Sequence, residues 1–382
     1  MNIQSTNHLL KKKRIFLFVF YLFIIWFIAL QIMAFISLNF LDLEQPHAWP
    51  AKQLKSFLYW ARWDTGWYAS IATKGYYLKE GNSNVAFFPL YPLLLKLPNS
   101  LFKLDVMWAG FFISIISFIV ALYYLYKLVI LDLDEKQTKR SLIYLLLLPA
   151  SFFFISVYAE SLFLLEIVLS FYFARKNKWI LAGIFGFFAS LTRLPGIILL
   201  PVLLVEYLAQ KNYKLKNIRF DISWLLLIPL GLLSFMFYLW QKFNDALLFI
   251  HNQTTYLRNF TWPYKVIKGY LHTIFIDPAA VEKNLYWILM IDLFILIIYA
   301  VFTVISFKKL RLSYAIFMLL GLGMLIFTGT LSGMARYTLP LFPAVMILGS
   351  IKSKIVRMTI MAVSAGTLIF LVIRFVNWYW VG

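Results

Sequence analysis

The sequence contains no cysteine. That excludes a disulfide framework, a thiolate metal site and a cysteine nucleophile. Charge is scarce as well: 14% of the 382 residues are Asp, Glu, Lys or Arg, against 62% hydrophobic. No soluble class has that balance, and with several apolar runs of about eighteen or more residues it predicts an all-α, polytopic integral-membrane protein. Acids are the scarcer sign, 16 against 36 Lys and Arg, leaving a formal charge of +20. The basic residues lie in short clusters between apolar spans, the pattern that membrane topology and anionic headgroups call for. No nucleic-acid partner is expected.

What is present is a series of spans. Lys11-Lys12-Lys13-Arg14 precedes an apolar run over 15–35 that is too long for a signal-peptide core and is followed by no small-residue cleavage motif. A retained anchor with a cytoplasmic N-terminus is expected. Apolar windows put helices near 15–37, 106–128, 141–157, 159–174, 179–192, 195–210, 222–240, 286–307, 312–330, 337–351 and 358–376, about eleven crossings. The basic clusters at 11–14, 127–140, 175–178, 211–219, 308–311 and 352–357 then all fall on the cytoplasmic side.

The stretches 141–174 and 179–210 are too long for one crossing, since roughly 30 residues of helix run ~45–50 Å against a ~30 Å hydrocarbon core. Each is broken, at Pro149-Ala150-Ser151 through Tyr158-Ala159-Glu160-Ser161 and at Thr192-Arg193-Leu194-Pro195-Gly196. Backbone freed at membrane depth must be buried in protein or line a wet cavity, and the charges at both breaks favour the cavity. Within a single domain spanning 1–382, polar residues gather in two outer segments, 38–105 and 241–285. In the first, Leu54, Phe57, Leu58 and Ala61 recur at helical intervals between Lys52, Lys55 and Arg62, which predicts an interfacial helix over 51–61. Asp64 would then sit at headgroup level.

Asp64 stands in Arg62-Trp63-Asp64-Thr65-Gly66-Trp67-Tyr68, followed by Ile71-Ala72, Gly75-Tyr76 and Phe87-Phe88-Pro89. This order resembles membrane mannosyltransferases of the GPI second-mannosyltransferase (PIG-V-like) type, members of the GT-C superfamily. The similarity continues at Leu148-Pro149-Ala150, at Tyr158-Ala159-Glu160-Ser161-Leu162-Phe163, around Arg193 and at Ala335-Arg336-Tyr337 before Phe342-Pro343. It departs from the family in having no Ser before Pro149, and the C-terminus ending in Trp378-Tyr379-Trp380 suggests a bacterial-type relative with a different acceptor. The resemblance implies a GT-C-like helical bundle that transfers a hexose, mannose foremost, from a polyprenyl-phosphate donor to a glycan or glycolipid acceptor, inverting the anomeric centre. The absence of Cys and the compact loops fit a bacterial plasma membrane, with the site facing outside.

Such a transfer needs a base for the acceptor hydroxyl and cations for the departing phosphate, which leaves without a proton. Asp64 is the candidate base; its rival roles are a helix N-cap or a partner of Arg62. Arg336, Arg193 and His251 are the candidate phosphate contacts, because the guanidinium fork matches phosphate. An intramembrane arginine calls for a partner, and Glu160 is the candidate one for Arg193; Glu160 is open to orienting Arg193 or Arg336 or to binding acceptor hydroxyls. Arg336 at a span end has snorkelling as its rival role. Trp63, Trp67 and Tyr68 read singly as an aromatic belt and jointly as a sugar platform; Tyr158, Gln253 and Tyr337 complete the candidate substrate contacts. No HxxxH or carboxylate-rich metal loop emerges, and sharing of a cation by Asp64 with Asp42 or Glu44 is not compelled by spacing. Neither a metal nor a cofactor is expected. The rival classes are a transporter or flippase, which calls for an internal repeat that the chain does not show, and a membrane scaffold.

Overall fold

A computed structural model describes residues 3–40, 57–79, 83–253 and 258–382. Among them every regular element is helical: α1 Ile3–Phe40, α2 Thr65–Lys74, α3 Leu90–Phe102, α4 Val106–Val129, α5 Glu135–Leu147, α6 Glu160–Arg175, α7 Trp179–Thr192, α8 Leu199–Gln210, α9 Leu227–Phe243, α10 Leu248–His251, α11 Pro263–Phe275, α12 Lys283–Lys309, α13 Leu312–Ile326, α14 Met334–Tyr337, α15 Pro343–Gly349 and α16 Lys354–Val376. By length and composition, five segments can cross a membrane: Lys12–Asn39, Val106–Val129, Phe220–Phe243, Leu285–Lys309 and Lys354–Val376. Three shorter apolar helices accompany them, Trp179–Thr192, Leu194–Gln210 and Leu312–Ile326. The protein is therefore an integral-membrane helical bundle.

Local sequence explains the helix starts. Asp105 caps α4 by accepting the Met107 N–H at 2.8 Å. Asp134 and Gln137 form a reciprocal capping box on α5, each satisfying a backbone donor that the first turn leaves open. The segment expected to span 337–351 is instead two short helices, α14 and α15. Pro340 and Pro343 lie in and just after the gap, where each removes a backbone donor. Of the helix expected over 51–61, residues 51–56 lie outside the described residues. Phe57–Trp60 is a single 3-10 turn, with Trp60 fully buried and its indole N–H on Gln31 of α1 at 3.1 Å.

Both long stretches are broken where the sequence puts the breaks. Helix α5 ends at Leu147, a 3-10 turn runs Ser151–Phe154, and α6 begins at Glu160. Hydroxyls accept the task of the missing helical donors: Ser151 donates to Leu146 O at 2.6 Å, Ser364 to Leu147 O at 2.6 Å, Ser161 to Phe154 O at 2.5 Å and Ser114 to Tyr158 O at 3.2 Å. Residues 150–161 are buried throughout, so this break is packed in protein. Helix α4 comes close enough that a Cβ on Gly110 would sit 2.4 Å from Val157 Cγ1. At the second break α7 ends at Thr192, Arg193 is extended (φ −156°, ψ 147°) and a 3-10 turn follows over Leu194–Ile198.

Helix α4 packs on α6, α6 on α7 and α7 on α9. Charge collects at two ends of this stack, about 22 Å apart along the sixteen-residue α6 at 1.5 Å per residue. At one end Arg175 pairs with Asp132 at 2.5 Å, and Arg311 with the buried Glu206 at 3.0 Å. At the other end lie Glu160 and Arg193.

Candidate functional site

The segment carrying Asp64 is stitched to the first break. Val157 N–H donates to Trp60 O at 3.3 Å, Thr65 Oγ1 to Val157 O at 3.1 Å, and the Tyr158 hydroxyl donates to Arg62 O at 3.0 Å while accepting the Asp64 N–H at 3.1 Å. Trp63 adopts a left-handed backbone, φ 49°, which costs about 1–2 kcal/mol in a residue with a Cβ. Its ring packs edge-on against Trp378 and Trp380, with centroids at 5.7 and 5.1 Å. Arg62 meets the same tryptophan: its guanidinium lies 4.7 Å from the Trp378 ring and donates to the carbonyls of Ala61 and Val376. Burial pulls the Arg62 pKa down to about 10, still cationic at neutral pH.

Asp64 therefore takes neither of its simpler roles. It makes no side-chain cap on α2, and its ion pair is with Arg336, Nη1 to Oδ2 at 2.8 Å. No described hydrogen bond involves Oδ1, and the side chain keeps 21% exposure. Arg336 is buried and reaches a second carboxylate, with Nε 3.5 Å from Glu160 Oε1. That same oxygen holds Arg193 Nη1 at 2.5 Å. Glu160 is 1% exposed, and its Oε2 has no hydrogen-bond partner. Asp64, Arg336, Glu160 and Arg193 thus form one alternating chain of charges assembled from the α2 start, α14, the α6 start and the α7 end. Each burial cost is offset by an opposite neighbour.

Tyr337 closes this chain. Its hydroxyl accepts from Arg336 Nη2 at 2.5 Å, and the guanidinium carbons of Arg336, Arg258 and Arg193 lie 4.6, 4.7 and 5.1 Å from its ring centroid. A narrow cleft of about 30 Å³ opens beside Arg193 and Tyr337 and runs between Phe163, Ile167, Phe317 and Leu325. It joins the charged centre to apolar surface. Its volume holds about one water molecule.

Two residues outside the candidate set support this arrangement. Asp292, 1% exposed in the middle of α12, accepts the Gly333 N–H at 3.3 Å and the Met334 N–H at 2.9 Å. It caps the short helix that carries Arg336, a carboxylate from a distant helix doing the work of a local N-cap. Gly333 is left-handed (φ +84°), and a Cβ there would meet the Tyr337 ring at 2.8 Å. The second, Arg258, is held by the pairing of Asn259 and Thr261 N–H groups with the carbonyls of Thr328 and Phe327, both at 3.0 Å. An acid inside an apolar span was the available signal for Asp292; nothing local marks Arg258.

The other candidates fall in three places. Tyr68 is buried edge-on against Phe87, Tyr91 and Tyr158. Burial first, then the Glu160 charge, push its phenol well above the ordinary value. Trp67 stacks on Phe87 with centroids 6.0 Å apart. His251 is seated with Asp245, Nδ1 to Oδ2 at 2.7 Å, with 60% of its side chain exposed. The Gln253 carbonyl accepts the Arg258 N–H at 3.1 Å. Among the described residues no group of three or more His, Asp or Glu is placed to hold a metal ion; Asp42 and Glu44 lie outside the described residues.

Comparison with curated proteins and with solved structures gives no match. A family model described as Mannosyltransferase (PIG-V) matches residues 8–256. That range contains Asp64, Glu160 and Arg193, while Arg258, Asp292, Arg336 and Tyr337 follow it. Because the match covers more than half of the chain, the protein belongs to the Mannosyltransferase (PIG-V) family of membrane glycosyltransferases.

Proposed function

We propose that the protein transfers mannose from a polyprenyl-phosphate donor to a hydroxyl of a glycan or glycolipid acceptor at the outer face of the membrane, with inversion. The reading rests on one observation: Asp64 presents an unbonded oxygen while Arg336, joined through Glu160 to Arg193, stands directly behind it. Asp64 Oδ1 takes the acceptor proton as the acceptor oxygen bonds to the sugar C1. The bond from C1 to the phosphate oxygen breaks, and its electron pair leaves with the polyprenyl phosphate. Arg336 keeps Asp64 oriented through the ion pair. It shares with Arg193 the stabilisation of the phosphate charge, so the step needs no metal ion or cofactor.

The cleft beside Arg193 widens to admit the isoprenoid tail sideways between α6 and α13, leaving the phosphate at the guanidinium groups. Trp63, Trp67, Tyr68 and Tyr158 wall the sugar side. Glu160, with its unpartnered Oε2, is available to a sugar hydroxyl. Gln253 is a further substrate contact, and His251 is the lesser candidate for the donor phosphate. The bundle crosses a bacterial plasma membrane about eleven times in a GT-C-like arrangement, with the N-terminus cytoplasmic as the basic clusters require.

The test is Asp64→Asn, assayed by transfer of labelled mannose from polyprenyl-phosphate mannose to acceptors in an extract of the host membrane. A fall of about 10²–10⁴-fold in kcat at normal membrane abundance is expected. Full activity in that variant would remove Asp64 as the base.

A further inference from the structure

We propose that Arg258 carries the open positive charge of the donor-phosphate site, an inference that rests on the reading just given. Three guanidinium groups surround Tyr337, and their partners differ. Arg336 is taken up by Asp64 at 2.8 Å and Glu160 at 3.5 Å, and Arg193 by Glu160 at 2.5 Å. Arg258 hydrogen-bonds to neutral oxygens only, Thr328 Oγ1 at 3.4 Å and Ser332 O at 2.9 Å; the capping Asp292 acts on it through space without forming an ion pair. Arg258 forms no ion pair among the described residues, and it is half-buried. Arg62 also has no carboxylate in an ion pair, but it is 2% exposed and sealed beneath Trp378. Arg258 is therefore the accessible cation of the site that no carboxylate contacts directly.

Of the three guanidinium groups at the Tyr337 ring, Arg193 and Arg336 are ion-paired to Asp64 or Glu160 and Arg258 is not. Like charges crowded on one ring repel, and an anion relieves that repulsion. A sugar phosphodiester carries one negative charge, and the guanidinium without an ion pair is the one free to meet it directly. As the C1–O bond breaks, the phosphate becomes a monoester and gains negative charge. A fixed cation beside it is worth more to the departing phosphate than to the bound donor, the condition for accelerating the step. Arg258 also belongs to a different segment from Arg193 and Arg336, so the phosphate would tie the 258–261 segment to the α7 end and to α14.

The experiment titrates purified protein in lipid nanodiscs with polyprenyl phosphate, with the uncharged polyprenol of equal length as control. Wild type should prefer the phosphate. Arg258→Gln, which keeps a donor for Ser332 O but has no charge, should lose about tenfold to a hundredfold in phosphate affinity and leave polyprenol binding unchanged. Arg258→Lys should recover part of the loss, and raised salt should narrow the gap between the charged and uncharged forms. Wild type without preference for the phosphate would overturn the lipid-phosphate donor itself and this inference with it. A wild type that prefers the phosphate, with Arg258→Gln binding it equally well, would overturn this inference alone, as would equal losses in the Gln and Lys variants.

Discussion

Replacing Glu160 with glutamine removes the one carboxylate that touches both Arg193 and Arg336 and changes almost nothing in shape. Unit charges about 4 Å apart attract by ~4 kcal/mol at an effective dielectric of about 20, and Glu160 makes such a contact with Arg193 and a looser one with Arg336. Part of that attraction only repays the desolvation of the ions. The net loss on orphaning a buried pair is ~3–5 kcal/mol. Glu160→Gln leaves Arg193 with no carboxylate and Arg336 with Asp64 alone. The expected result is a drop of roughly 4–6 °C in apparent Tm in detergent, with reduced mannose transfer because Arg336 is drawn more tightly onto Asp64. Glu160→Asp, which keeps the charge on a shorter stem, should fall between. An apparent Tm within about 1 °C of wild type, with only the acceptor KM raised, would refute the structural part of this reasoning and leave Glu160 as a substrate contact.

Asp292→Asn keeps one acceptor oxygen for the two amides of Gly333 and Met334 and sets an amide donor against one of them. A loss of about 1–3 kcal/mol is expected, together with a lower kcat as Arg336 shifts from Asp64; unchanged kcat and Tm would show that α14 holds its shape without this cap. At the exposed turn 245–251, the hydrogen bond from His251 holds the Asp245 carboxyl below its ordinary value of 3.8. Because the folded-state pKa is depressed, the stabilisation is present above that value and is lost as pH falls through the still lower folded one. Amide exchange of a peptide covering 244–253 should therefore stay slow down to about pH 4 and quicken below it, and in Asp245→Asn it should be faster at neutral pH with no further acid step. An acid step of the same size in that variant would count against the pair.

Much of the helical frame was legible because its signals are local. The spans around 106–128 and 358–376 are continuous apolar runs, and the Pro149 and Pro195 breaks follow from helix length against bilayer thickness. The 337–351 region is two short helices rather than one because Pro340 and Pro343 sit inside its apolar run. The 149–161 break was expected beside water. It is instead closed by serine hydroxyls from its own turn, α4 and α16, and hydropathy does not register the direction in which a hydroxyl points.

By itself the sequence determined that the chain is a membrane-embedded helical mannosyltransferase relative, and it singled out Asp64, Glu160, Arg193 and Arg336 as charges with no place in hydrocarbon. Which charge meets which was decided by the tertiary structure. Asp64 pairs with Arg336, 272 positions away, rather than with Arg62, two positions away, and Asp292 caps a helix 42 positions further along. An ion pair in a membrane is chosen by which burial leaves the fewest charges unmatched over the whole bundle, and that quantity has no value until the helices have packed.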